Sequence, residues 1–152
     1  MNEKIIKALK KLADYSEKLD EVPVGAVVVC DEKIIAGSYN SMERDGTSLS
    51  HAELKAIRTA QKKLKNWRLN NCEIYVTLEP CVMCSGAIHF SRIKKVTFLT
   101  ASNDYALSDL PFDIEVININ DESYRGQLKS FFKRARERRK LNKSRLNKSK
   151  VS

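Results

Sequence analysis

Four side chains hold the reactive chemistry of this sequence: His51, Glu53, Cys81 and Cys84. Cys81-Val82-Met83-Cys84 sets two thiols three residues apart. On a helix that spacing puts them one turn apart on one face, so both thiolates can reach a single ion. His51 and the cysteine pair each stand where a loop gives way to a helix, and the positive end of the helix dipole favours ionised thiols. One imidazole and two thiolates suit zinc, and three protein ligands leave a fourth position open to water, as in catalytic rather than structural sites. Glu53, two residues past His51, can approach that water from beside the ligand direction and act first as base, then as acid. Taken singly, His-Ala-Glu is ordinary helix surface and Cys-x-x-Cys is a redox pair or half of a structural zinc site. A redox pair leaves His51 and Glu53 unexplained. No further Cys or His stands close in sequence to complete a tetrahedron, and His89 reads as part of its own helix.

The elements that must position these residues follow from periodicity. Ile5, Ile6, Leu9, Leu12 and Ala13 recur at helical steps and predict a first helix. Val22 to Cys30, the turn Asp31-Glu32-Lys33 and Ile34-Ile35-Ala36 read as a hairpin, and Ser41 to Ser50 as a loop. Ser50 is the candidate cap of a helix from His51 to about Lys65. Ile74 to Leu78 is a strand that stops at Glu79-Pro80, followed by a short helix from Cys81 to about Ser91. Two more strands, Lys95 to Thr100 and Ile114 to Ile119, precede a helix from Ser123 to about Lys140 whose Leu128, Phe131 and Phe132 face inward. The alternation predicts one α/β domain over 1–140, a mixed five-stranded sheet covered by helices on its faces. Residues 141–152 are polar and basic, and a mobile tail is expected there.

Length, composition and charge narrow the class further. A chain of 152 residues suits one domain, and its 42% of hydrophobic residues is a globular value. No apolar stretch suits a membrane span, and the start carries acids among its lysines rather than an apolar leader, so a cytoplasmic protein is expected. Cys30 and Cys72 lie in apolar, strand-like surroundings and read as buried free thiols. The net charge of +9 is uneven. Residues 1–124 hold 16 Lys+Arg against 18 Asp+Glu, whereas 125–152 hold 12 against Glu137 alone. A basic block of that density suits a polyanion such as nucleic acid, although a solvated tail has the same composition.

The order His51-Ala52-Glu53 then Pro80-Cys81-x-x-Cys84, each opening a helix, is the signature of zinc deaminases. With Glu21-Val22-Pro23-Val24-Gly25-Ala26, Asn40, Asn66-Trp67-Arg68-Leu69, Thr77-Leu78-Glu79-Pro80, Ser91-Arg92-Ile93 and Phe131-Phe132, the sequence resembles the bacterial tRNA-specific adenosine deaminases of the cytidine deaminase superfamily from about Glu21 to Arg134. The resemblance implies a three-layer α/β/α fold, one Zn2+ per subunit held by His51, Cys81 and Cys84, and Glu53 as the catalytic proton carrier. It implies hydrolytic conversion of adenosine to inosine at the wobble position of a tRNA anticodon, using a zinc-activated water. It further implies that Asn40 contacts base or ribose and that the protein is a homodimer. Phe131, Phe132, Arg134 and Arg136 combine rings and cations, which suits an anticodon stem-loop, although helical spacing assigns at least one ring to the core. One segment departs from the family. Thr100 to Pro111 lacks its usual Gly-Ala start, Asp-x-Lys pair and glycines, so no residue there is carried over. Two alternatives stay open: a deaminase of a free base or nucleotide on the same scaffold, and a non-catalytic zinc or RNA-binding module.

Overall fold

A continuous β-branched run forms a strand buried on both faces, and Gly25–Cys30 does so as β1, with all six residues inside. The computed structural model describes residues 3–104 and 106–151. Around β1 it places α1 (Glu3–Lys18), β2 (Lys33–Tyr39), α2 (Met42–Asp45), α3 (Ala52–Leu64), β3 (Cys72–Leu78) and α4 (Val82–Phe90). The chain goes on through β4 (Lys95–Thr100), a 3-10 turn (Leu107–Asp109), β5 (Glu115–Asn118) and α5 (Glu122–Val151). The five strands form one mixed sheet in the order β2-β1-β3-β4-β5. β1 is antiparallel to both β2 and β3, whereas β3, β4 and β5 run parallel.

Alternation along β1 sorts the helices into layers. Val24, Ala26 and Val28 pack with Ala52, Ala56, Ile57 and Ala60 of α3 and Ile88 of α4. Val27 and Val29 point the other way, onto Ile5 and Leu9 of α1. Tyr124 of α5 joins Ala13 of α1 and Leu99 of β4 on that second side. The result is the expected α/β/α sandwich, with α3 and α4 on one face and α1 and α5 on the other. α1 sits so close to β1 that a Cβ added at Gly25 would stand 2.7 Å from both the Leu9 carbonyl oxygen and the Leu12 Cβ. Only glycine lets the two backbones approach this far. α5 is tied in twice. Its Tyr124 hydroxyl donates to the Pro23 carbonyl at 2.6 Å, and its Arg134 and Arg138 pair with Glu17 and Asp20 at the end of α1.

Several expectations need correction. Cys30 and Cys72 are not free thiols: they face each other across the β1–β3 ladder, 4.3 Å between Cα atoms, and form a disulfide. Strand register sets that pairing, and each strand taken alone does not reveal it. Inside the Ser41–Ser50 loop, residues Met42–Asp45 form one helical turn ended by Gly46 in the left-handed region at φ 65°. Ser50 does not cap α3; its hydroxyl donates to Asp45, and His51 itself is the N-cap residue. The last helix does not end near Lys140 but continues to Val151, because its final turns hold Leu, Lys, Arg and Asn without a Gly or Pro to stop it. Phe131 is buried as expected, but Phe132 is 40% exposed, since adjacent helical positions point about 100° apart.

Candidate active site

The site forms at the end of the sheet where β2 and β3 hand over to α3 and α4. His51 and Cys81 are the N-cap residues of those helices, both in extended conformation, and Cys84 lies in the first turn of α4. Cys81 Sγ accepts the Cys84 backbone N–H at 3.4 Å, as an N-cap side chain does. His51 Nδ1 stands 3.6 Å from Cys81 Sγ and 3.4 Å from Cys84 Sγ, and all three donor atoms lie within 4.8 Å of one another. A tetrahedral zinc with bonds of about 2.0–2.1 Å to nitrogen and about 2.3 Å to sulfur has N···S edges of about 3.6 Å. The three residues are therefore positioned to coordinate that ion.

The charges of the donor set agree with this. The hydrogen bond from the Cys84 thiol, with help from His51, draws Cys81 down to about 4. Cys84 is pushed far above its ordinary value by Cys81 and by burial. One thiolate forms readily, and the second is opposed by the first. A dication between them relieves that opposition, as it does wherever thiolates share a metal. His51 is drawn upward by its bond with Cys81.

Glu53 is 4% exposed and lines the same pocket as His51 and Cys81. Burial raises its pKa, so its carboxylate binds a proton more readily than a solvated glutamate. Asn40 lines the same pocket. It is buried on the pocket wall, its Nδ2 donates to the Val22 carbonyl at 3.4 Å, and its Oδ1 has no partner among the described residues. A buried amide oxygen left unpaired is poised for a donor from a bound molecule.

Four other candidates lie elsewhere. Phe131, Phe132, Arg134 and Arg136 do not line the pocket. Phe131 is buried, Arg134 is engaged by Glu17 at 3.2 Å, and Arg136 is exposed with no ion pair among the described residues. Conversely, Val22, Val24, Met42, Leu78, Glu79, Ser102 and Asp104 line the pocket. Two further buried glutamates, Glu21 and Glu79, explain how its walls are built. Glu21 accepts backbone N–H groups of Glu43 and Arg44 at 2.7 and 3.2 Å, holding α2 and Met42 in place. Glu79 accepts Ser102 N–H at 2.9 Å and Leu107 N–H at 2.6 Å, fastening the segment after β4 over the pocket. Both belong to the motifs Glu21-Val22-Pro23 and Leu78-Glu79-Pro80, and an acid within an otherwise apolar run was the available signal.

Residues 1–100 match the cytidine and deoxycytidylate deaminase zinc-binding region. A tRNA-specific adenosine deaminase of Buchnera aphidicola is 43% identical over 129 residues, covering 85% of this chain and 83% of that protein. Among solved structures, one from a study of A-to-I editing by tRNA:A34 deaminases at the wobble position of transfer RNA superimposes with a TM-score of 0.77 and 30% identity, covering 84% of this chain and 99% of that one. The guanine deaminase of Bacillus subtilis superimposes with a TM-score of 0.63 and 35% identity, covering 74% of this chain and 72% of that one.

Proposed function

Because the chain belongs to the cytidine and deoxycytidylate deaminase zinc-binding family, we propose that it is a zinc-dependent tRNA adenosine deaminase that makes inosine at the anticodon wobble position and releases ammonia. The observation that carries the chemistry is a buried carboxylate, Glu53, in one pocket with two residues of the His51-Cys81-Cys84 set. Zinc held by that set supplies a Lewis acid that brings the pKa of water toward neutrality. Glu53 accepts the first water proton on its carboxylate as the water oxygen bonds to the ring carbon carrying the amino group, and delivers it to the adjacent ring nitrogen. It then moves the second water proton to the amino nitrogen, which leaves as ammonia while the carbonyl of inosine forms. Asn40 Oδ1 accepts a hydrogen bond from base or ribose, and burial by the segment that Glu79 fastens keeps bulk water from the reacting carbon.

The likeness to a guanine deaminase favours one second reading, a small free base as substrate. Ammonia release separates the two. Purified protein given an unmodified tRNA with a wobble adenosine, and in parallel free guanine, cytidine and adenosine, is expected to release ammonia from the tRNA alone. Release from a free base and none from tRNA reverses the assignment.

The RNA is held by α5 in this reading. Arg134 and Arg138 are engaged by Glu17 and Asp20, so the phosphates fall first to exposed cations such as Arg136, Arg139 and Arg145. Changing these three to Gln is expected to lower the slope of log affinity against log salt by about 2.5, since each phosphate contact contributes about 0.7–0.9. An unchanged slope removes α5 from the interface. Phe132, exposed beside this helix surface, is the candidate stacking ring. The protein acts as a homodimer in the cytoplasm, where its substrate resides. The dimer contact uses the apolar stripe of Val82, Met83 and Phe90 along α4, which are 51%, 39% and 66% exposed. Sedimentation at the mass of two chains checks it, with Phe90→Asp expected to sediment as one. No helix among the described residues is long and apolar enough to cross a membrane.

A further inference from the structure

The C-terminal ends of α3 and α4 meet at Trp67. Lys65 closes α3 in the left-handed region at φ 53°, and Arg92 turns the chain after α4 at φ 69°. Leu69 N–H donates to the Ser91 carbonyl at 2.8 Å, and Gln61 Nε2 reaches both the Trp67 carbonyl at 3.0 Å and Ser91 Oγ at 3.3 Å. This bracing holds the Trp67 ring 48% exposed, with the Arg68 guanidinium 4.3 Å and that of Arg92 5.6 Å from its centroid.

The surroundings are acid-free in sequence. Between Glu53 and Glu73 stand Lys55, Arg58, Lys62, Lys63, Lys65 and Arg68 without one Asp or Glu. No ion pair among the described residues engages Arg68 or Arg92. Basic residues in the last turn of a helix complement its dipole, which accounts for Lys62 and Lys63. It does not account for Arg68 and Arg92, which lie beyond the helices. A guanidinium resting on an aromatic ring leaves its N–H edge free for hydrogen bonding. Two such groups fixed on one ring are pre-organised for phosphate oxygens, at less entropic cost than freely rotating lysines.

We propose that Trp67, Arg68 and Arg92 form a second RNA contact, with both arginines gripping backbone phosphates of the tRNA away from the base in the pocket. This rests on the reading of the pocket as a tRNA deaminase site. The 13 residues of α3 separate the cluster from His51 by about 20 Å, so phosphates bound there belong to another part of the same RNA. Together with α5, the cluster gives the enzyme two separated basic contacts on one substrate.

The test compares the zinc-loaded wild type with the Arg68→Gln/Arg92→Gln double variant on an unmodified full-length tRNA carrying a wobble adenosine. Kd is expected to rise about tenfold and the log affinity against log salt slope to fall by about 1.5, the loss of two phosphate contacts. The single-turnover rate at saturating tRNA, the zinc content and the sedimentation mass stay at wild-type values. Trp67→Leu, which removes the platform but leaves both cations, is expected to weaken binding in the same direction, and Trp67→Phe to restore most of it. Unchanged affinity and slope in the double variant overturn the proposal. So does loss of the dimer with RNA affinity intact, which assigns the cluster to a subunit contact. If the wild type binds this tRNA but releases no ammonia, the deaminase reading fails while the binding comparison still decides the phosphate contact.

Discussion

Glu53→Gln is expected to lower ammonia release from tRNA by about a thousandfold or more while zinc stays at one per chain. Glutamine keeps the shape and polarity of the side chain and removes only its capacity to take up and pass on a proton. Because Glu53 is 4% exposed, no solvent-borne base can readily stand in for it. The fold should tolerate the change, since a buried carboxylate carries a desolvation penalty that a neutral amide does not. Single-turnover ammonia release with elemental analysis of the same preparation provides the check. Equal turnover by the two proteins would end the assignment of Glu53 as proton carrier.

The second large effect is on the metal. Cys84 is fully buried in the first turn of α4, and Cys84→Ala removes one of the three donors. Zinc content is expected to fall well below one per chain and ammonia release to disappear. Chelation of the wild type should act in the same direction on stability. A ligand present at about a thousand times its Kd stabilises the fold by about 4 kcal/mol. At about 2–4 °C per kcal/mol for a chain of this size, removing it should lower Tm by about 10 °C. Re-addition of zinc should restore Tm in the chelated wild type but not in Cys84→Ala. A Tm indifferent to chelation would mean that His51, Cys81 and Cys84 do not hold a metal in the folded protein.

The ligand trio and Glu53 were legible because short-range spacing places them. His51 and Glu53 share one helix start, Cys81 and Cys84 another, and apolar periodicity predicts both helices. The pocket walls were not legible to the same degree. Met42, Ser102 and Asp104 reach the pocket through loops that Glu21 and Glu79 hold by backbone hydrogen bonds, and such bonds leave no trace in side-chain pattern. The Cys30–Cys72 bridge depends on the register of β1 against β3, a long-range relation that neither strand encodes alone. The basic cluster at Trp67 was hidden by averaging. Residues 1–124 hold slightly more acids than bases, so six cations in one short acid-free stretch vanish from the total. Phe132 shows a limit of reading apolarity as burial, since one ring of the Phe131-Phe132 pair faces the core and the other faces out.

The Tyr124 hydroxyl and the Pro23 carbonyl join the root of a rod of 30 residues, about 45 Å long, to the stretch between Val22 and Val24. Both of those valines border the chamber where the base reacts. Further along, buried Phe131 and the pairs of Arg134 and Arg138 with Glu17 and Asp20 also pin the rod, so cargo pressing on its far end loads those anchors first and the hydroxyl at the chamber's doorway last.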